Sequence, residues 1–138
     1  MKEYKFEDLK IGLEESFEYE VTRDRVDMFR NMSGDYNPLH NDKDFALAHN
    51  FKDKVVYGML TASLISTMGG VYLPGKYCII QQVKTKFYKP VFVGDKLLVK
   101  GTVDELNDTV KMVVIKIEIF NQNNEKVLKG TLEAGFTE

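Results

Sequence analysis

The sequence predicts an α+β fold in which a curved antiparallel β-sheet wraps around one central apolar α-helix. Three observations predict it. The stretch from Val55 to Gly75 carries no charged residue, the second half of the chain alternates apolar and polar positions, and short polar turns separate the alternating segments. A helix without a charged face must be buried on nearly every side. Strands with one wet and one dry face supply the cover.

The elements follow in chain order. FEDLKIG is an irregular lead-in, after which Phe17, Tyr19 and Val21 alternate with Glu18 and Glu20 as in a half-buried strand. Thr22 is placed to cap a helix over Arg23–Met32, and Gly34 ends it. Gly34 to Asn41 contains Gly, Asp, Asn and Pro and is expected to be a loop. A short helix is expected over Asp44–His49, and the central helix over Met59–Met68. Four amphipathic strands then carry their dry faces on Val83, Thr85 and Phe87; on Leu97, Val99 and Val103; on Val113, Ile115, Ile117 and Ile119; and on Leu128, Leu132, Ala134 and Phe136. The connections LNDT and NQNNE are turn-like, which makes neighbouring strands antiparallel.

Bulk properties bound the function. A chain of 138 residues fits a single domain over 1–138. With 19 Lys and Arg against 21 Asp and Glu, the net charge of −2 gives no electrostatic reason for a nucleic-acid partner. Cys78 is the only cysteine, so no intramolecular disulfide forms and a reducing compartment is expected. The N-terminal MKEYKFEDLK lacks an apolar signal core, which points to the cytoplasm. The uncharged stretch is long enough to suggest a membrane span. However, Gly58, Gly69, Gly70 and Pro74 interrupt it, and Thr61, Ser63, Ser66 and Thr67 dilute its centre, so no membrane association is expected.

The chemistry concentrates in SGDYNPLHNDKDFA, residues 33–46, followed by VVYGMLTASLIS, residues 55–66. These two runs resemble the hydratase-2 motif of the MaoC-like (R)-specific enoyl-CoA hydratases, which are single hot-dog domains. PGK at Pro74–Lys76 and FYKPVFVGD at Phe87–Asp95 resemble the family's later strand and turn signature. The resemblance extends from about Phe6 to Phe136 and implies site residues. Asp35 and His40 match the catalytic pair. Gly58 matches the glycine whose backbone N–H polarises the thioester carbonyl. Ser66 matches a helix serine near the pair, and Asn37 an asparagine that orders the loop. The position before Gly58 is often histidine in the family. Here it is Tyr57, expected at the pocket mouth or packed under the loop, which leaves acyl chain length and carrier recognition open.

The residue types make independent sense for this chemistry. Hydrating a conjugated enoyl thioester adds OH at Cβ and H at Cα. A carboxylate and an imidazole can hold one water and trade its protons, with Asp35 expected as the base toward water and His40 as its partner in proton delivery. The developing enolate needs a donor at the carbonyl oxygen, which a backbone N–H at a helix start supplies. Taken alone, Asp35 is an Asx-turn residue, His40 a loop histidine and Gly58 a helix start; the complete motif is what gives them function. Ser66 has the further option of bonding a carbonyl in its own helix. His40 and His49 lack a zinc-ligand spacing, so no metal is expected. No cofactor is expected either, coenzyme A or an acyl carrier protein being part of the substrate. Two other readings stay open: a hot-dog acyl-thioester hydrolase, and a non-catalytic acyl-CoA-binding module. Hot-dog domains pair through their sheets, so a homodimer or a dimer of dimers is expected.

Overall fold

The structure is a computed structural model that describes residues 1–137. Its strands are β1 (Glu14–Glu20), β2 (Cys78–Phe87), β3 (Lys96–Asn107), β4 (Met112–Phe120) and β5 (Lys126–Phe136). They form one sheet in the order β1-β3-β4-β5-β2, with every pairing antiparallel. The helices are α1 (Arg23–Ser33), α2 (Pro38–Asn41), α3 (Lys43–Ala48) and α4 (Gly58–Thr67). This is the wrapped sheet and helix that the sequence predicts.

The register explains where the core lies. Phe17, Val99, Ile119, Leu128 and Phe87 fall in one row across all five strands. Val103, Ile115, Leu132 and Val83 form a second row on the same face. Side chains opposite one another in a ladder share a face, so both rows point inward. Val99, Ile115, Ile119, Leu128 and Leu132 are fully buried, and Leu60, Leu64, Ile65 and Met68 of α4 and the turn after it are buried in the same core. α4 continues through a single π-helical turn, Met68–Tyr72.

Local signals set the boundaries. Thr22 Oγ1 accepts the N–H of Arg25 to start α1, and Gly34 ends it at φ 73° with its N–H on the Arg30 carbonyl. Glycine takes that left-handed conformation without the penalty a Cβ brings. Asp35, the next residue, is thereby turned off the helix.

Two expectations need correction. The segment from Gly34 to Asn41 is not loop throughout. Asn37 Oδ1 accepts the Leu39 N–H at 2.9 Å, and Pro38 follows at the first helical position, so His40 sits in the short helix α2. Nor is α4 buried on every side. Met59 is 63% exposed, and Ser63 and Ser66 on the same stripe are also open. Lacking charge, the helix needs no water-facing side, but the five strands of one chain curve around only part of it.

β2 is an edge strand whose side chains remain open: Ile79, Ile80, Val83 and Phe87 are all exposed. Its other edge pairs with β5 at very close range. A Cβ on Gly130 would stand 2.2 Å from the Lys84 carbonyl oxygen and 3.2 Å from Thr85 Cα. Both obstacles are backbone and have no rotamer to escape into. Gly130→Ala is therefore expected to cost about 2–3 kcal/mol, lowering the melting temperature by roughly 7–10 °C in a thermal scan. An unchanged melting temperature would show that β2 shifts freely.

Candidate active site

Asp35 follows the αL glycine and is held in an Asx turn, its Oδ1 accepting the Asn37 N–H at 3.0 Å. That bond occupies one carboxylate oxygen and leaves Oδ2 for a ligand. Asn37 caps α2, and its carbonyl accepts from Asn41 Nδ2 at 2.9 Å. His40 lies one turn further on, with Nδ1 2.6 Å from the Val55 carbonyl. A carbonyl can only accept, so Nδ1 carries the hydrogen and Nε2 is the ring atom left to meet a substrate.

Tyr57 ties these segments together. It is 2% exposed, and its hydroxyl donates to the Asp35 carbonyl at 2.5 Å while accepting from Asn41 Nδ2 at 3.2 Å. Its ring lies 4.2 Å from the His40 ring and 5.0 Å from Phe29 of α1. The side chain is thus packed under the Asp35–His40 segment and fixes both ends of it. Tyr57→Phe keeps the ring packing and removes the hydroxyl bonds. The expected result is a loss of about 1 kcal/mol in stability by denaturant titration, with turnover lowered as the Asp35 loop loosens. Wild-type values of both would exclude that role.

Gly58 begins α4, and Tyr57 before it makes no side-chain cap. The Leu60 N–H reaches the Tyr57 carbonyl at 3.0 Å, but the Gly58 and Met59 N–H groups that precede it have no carbonyl of the helix to bond, and the macrodipole makes this end attractive to developing negative charge. Phe87 packs against this end, where a Cβ on Gly58 would stand 3.1 Å from its ring.

The structure brings Asp35, His40, Tyr57 and Gly58 together around one cavity of about 160 Å³, walled also by Met59 and Phe87. A second cavity of about 260 Å³ shares His40, Gly58 and Phe87 with it and runs between Phe51, Val55, Val56, Thr61, Val91 and Val127. A smaller chamber that holds the carboxylate and the imidazole therefore opens beside a larger one, both with mainly apolar walls, with the start of α4 at their boundary. The first is large enough for a water, whose share of liquid volume is about 30 Å³.

Ser66 is not part of this arrangement within one chain. It is exposed on the open stripe of α4, eight residues and about 12 Å of helix from Gly58. Conversely, Phe87 and Thr61 line the two cavities although the sequence reading, which places both within the motif runs, assigns neither a role in the site. By residue type, Phe87 reads as one more inward strand position and Thr61 as a polar interruption of an apolar run. Among the described residues, no group of three or more His, Cys, Asp or Glu side chains is placed to hold a metal ion. No helix among them is long and apolar enough to cross a membrane.

Cys78 lies outside both cavities. Burial pushes its thiol up to about 11, so at neutral pH it carries its proton and is a poor nucleophile. Native protein is expected to react with a disulfide reagent such as DTNB near pH 8 only after unfolding. Rapid labelling of the native chain would contradict this.

Comparison with known proteins agrees with the fold and the motif. The model of the MaoC like domain matches residues 8–126. The (R)-specific enoyl-CoA hydratase of Aeromonas caviae is 37% identical over 105 residues, which cover 76% of this chain and 78% of that protein. The 3-hydroxybutyryl-CoA dehydratase of Methylorubrum extorquens is 38% identical over 101 residues, covering 73% of this chain but only 64% of that longer protein. Among solved structures, the (R)-hydratase from A. caviae superposes with a TM-score of 0.87 at 32% identity, covering 93% of this chain and 97% of that one. An R-hydratase from Pseudomonas aeruginosa gives 0.89 at 30% identity, covering 97% and 86%. With the motif, the wrapped sheet and the matched model in agreement over most of its length, the chain belongs to the MaoC-like domain family.

Proposed function

We propose that this protein, acting as a single domain, catalyses the reversible hydration of a trans-2-enoyl-CoA, or the equivalent carrier-protein thioester, to the (R)-3-hydroxyacyl thioester, with Asp35 and His40 as the catalytic pair. One observation carries the reading: Asp35, His40 and the uncapped start of α4 at Gly58 all line one chamber of about 160 Å³ beside an apolar cavity. The hydratases and the dehydratase among the relatives support the reaction class.

The chemistry follows from what each group can do. The thioester carbonyl receives the Gly58 N–H, which stabilises the enolate that forms as water adds at Cβ. Nδ1 of His40 is committed to the Val55 carbonyl, so the ring exchanges protons through Nε2 alone. In the neutral ring Nε2 is an acceptor. His40 thus takes one proton from the water while OH bonds to Cβ, then returns that proton to Cα. Oδ2 of Asp35 accepts the second hydrogen of the water and balances the transient imidazolium. This moves the base from Asp35, where the sequence reading puts it, to His40. The same steps in reverse expel water, and no further cofactor is required.

The test is to mix the protein with crotonyl-CoA. Loss of enoyl absorbance without free thiol, and a product of (R) configuration, are expected. Release of coenzyme A would identify a hydrolase instead, and tight binding without either signal a non-catalytic acyl-CoA-binding module.

The assembly belongs to the same reading. β2 offers an unpaired edge with exposed Ile79, Ile80, Val83 and Phe87, and Met59 belongs both to the reaction chamber and to the open stripe of α4. A second copy that covers this edge and stripe would close the chamber and bring a Ser66 to it, which is the only way Ser66 retains a supporting role. A homodimer by light scattering at micromolar concentration is expected; a monomer would remove Ser66 from the site.

A further inference from the structure

We propose that a basic groove on the outer face of the sheet, walled by Lys84, Lys86, Lys116 and Lys129, receives the phosphates of a coenzyme A thioester. This deepens the enoyl-thioester reading above, on which it rests, by naming the carrier. The register builds the groove. Side chains of β2 that alternate with the inward Val83, Thr85 and Phe87 point outward, and Lys86 lies directly across from Lys129 of β5. Lys84 and Lys116 flank Thr131 from the two sides of β5. Like charges that face each other in a ladder are destabilising, so this arrangement calls for an anion. Elsewhere on the same face lysines are matched with carboxylates, Lys100 with Glu14 at 3.3 Å and Lys126 with Glu118 at 3.0 Å. Glu118 also stands across β4 from Lys129, but its carboxylate lies with Lys126 and, at 3.9 Å, with Lys116. Among the described residues, Lys84, Lys86 and Lys129 form no ion pair with a carboxylate.

Size and position choose the anion. The groove holds about 500 Å³, with its lysines set against Asp104. That volume suits a small ligand such as a nucleotide, not the broad face of a protein. The groove also adjoins the reaction site. Tyr88 borders both it and the larger cavity that Gly58 lines, and the Lys86 ammonium lies 5.5 Å from the centre of the Tyr88 ring. Phe87 walls the reaction chamber, and Lys84 precedes it by about 10 Å of strand. The arm of coenzyme A, from sulfur to the first phosphorus, has about thirteen bonds and spans roughly 15 Å when extended. With the thioester carbonyl on the Gly58 N–H, the arm leaves through the larger cavity past Tyr88. It then sets the pyrophosphate and the 3′-phosphate among the ammonium groups, which bind phosphate oxygens through charge-assisted hydrogen bonds. The arm of a carrier protein brings one phosphodiester and leaves most of these charges unmatched. A second copy that pairs along the β2 edge uses backbone groups in the plane of the sheet, so the outward lysines stay open to the ligand.

The experiment compares kcat/KM for crotonyl-CoA and for crotonyl-pantetheine, which lacks the nucleotide. It uses the wild type, the triple variant Lys84→Ala/Lys86→Ala/Lys129→Ala, and the same three positions changed to Arg. The CoA-to-pantetheine ratio is expected to fall about tenfold or more in the alanine variant, through a raised KM with kcat held, and to be kept in the arginine variant. Lys96→Ala/Lys100→Ala/Lys111→Ala removes the same charge outside the groove and should keep the ratio. A ratio unchanged in the groove variant overturns the proposal, as does an equal fall in the control, which would show the field of the whole chain at work. A loss confined to crotonyl-loaded acyl carrier protein also overturns it, and makes this face a protein dock. Failure of the hydration reading is seen separately, as absence of turnover of both thioesters by the wild type. The same ratio is then read by calorimetry as dissociation constants for butyryl-CoA and butyryl-pantetheine, where an unchanged ratio again overturns the groove.

Discussion

Asp35→Asn is expected to lower kcat/KM for crotonyl-CoA by about 10²–10⁴-fold with little change in melting temperature. The amide keeps an oxygen that can accept the Asn37 N–H, so the turn that positions the loop survives. What is lost is the charge on the free oxygen, which orients the water and balances the imidazolium. His40→Ala should cause a loss of the same order, with a further cost of about 1 kcal/mol in stability because the Val55 carbonyl loses its donor. If the two act as a unit on one water, the double variant falls little below the poorer single variant. Full turnover in either single variant would remove it from the mechanism.

The second large effect is expected at Gly58, where one atom can be deleted cleanly. Proline at the first position of a helix removes a backbone N–H that no helical carbonyl uses. Tyr57 already has ψ 123°, outside the helical region that a following proline disfavours. Gly58→Pro should therefore fold, yet lose the donor to the enolate oxygen, lowering kcat by about 10²–10³. Gly58→Ala is the control, since it adds a Cβ 3.1 Å from the Phe87 ring but keeps the N–H. The measurement is the ratio of the two variants. Equal activity would place the carbonyl donor elsewhere, and two equally weak variants would mean that space beside Phe87, not the N–H, is what Gly58 supplies.

Much of this was legible in the chain. The period-2 alternation of Val113, Ile115, Ile117 and Ile119 fixes which face of β4 is dry, because successive side chains of a strand point to opposite sides. Thr22 and Gly34 bracket α1 within one residue, because capping is a local interaction between a side chain and the backbone next to it. The uncharged run marked α4 as the element the sheet wraps. The helical turn at Pro38–Asn41 was hidden by the Asn and Pro that also signal loops, although the same two residues start it.

What the sequence determined by itself is the list of chemical parts: two amphipathic periods, one uncharged helix, and a short segment holding a carboxylate, an imidazole and a glycine. The tertiary structure decided their relations. It placed the Val55 carbonyl on His40 Nδ1 and so chose the ring atom that faces the chamber. It set Tyr57 beneath both ends of the Asp35 loop, put Phe87 against Gly58, turned Thr61 inward without a partner, and left Ser66 on an open stripe. Each of these is a contact between residues many positions apart, or an orientation set by packing. Periodicity and capping act within a few residues and carry no information about either.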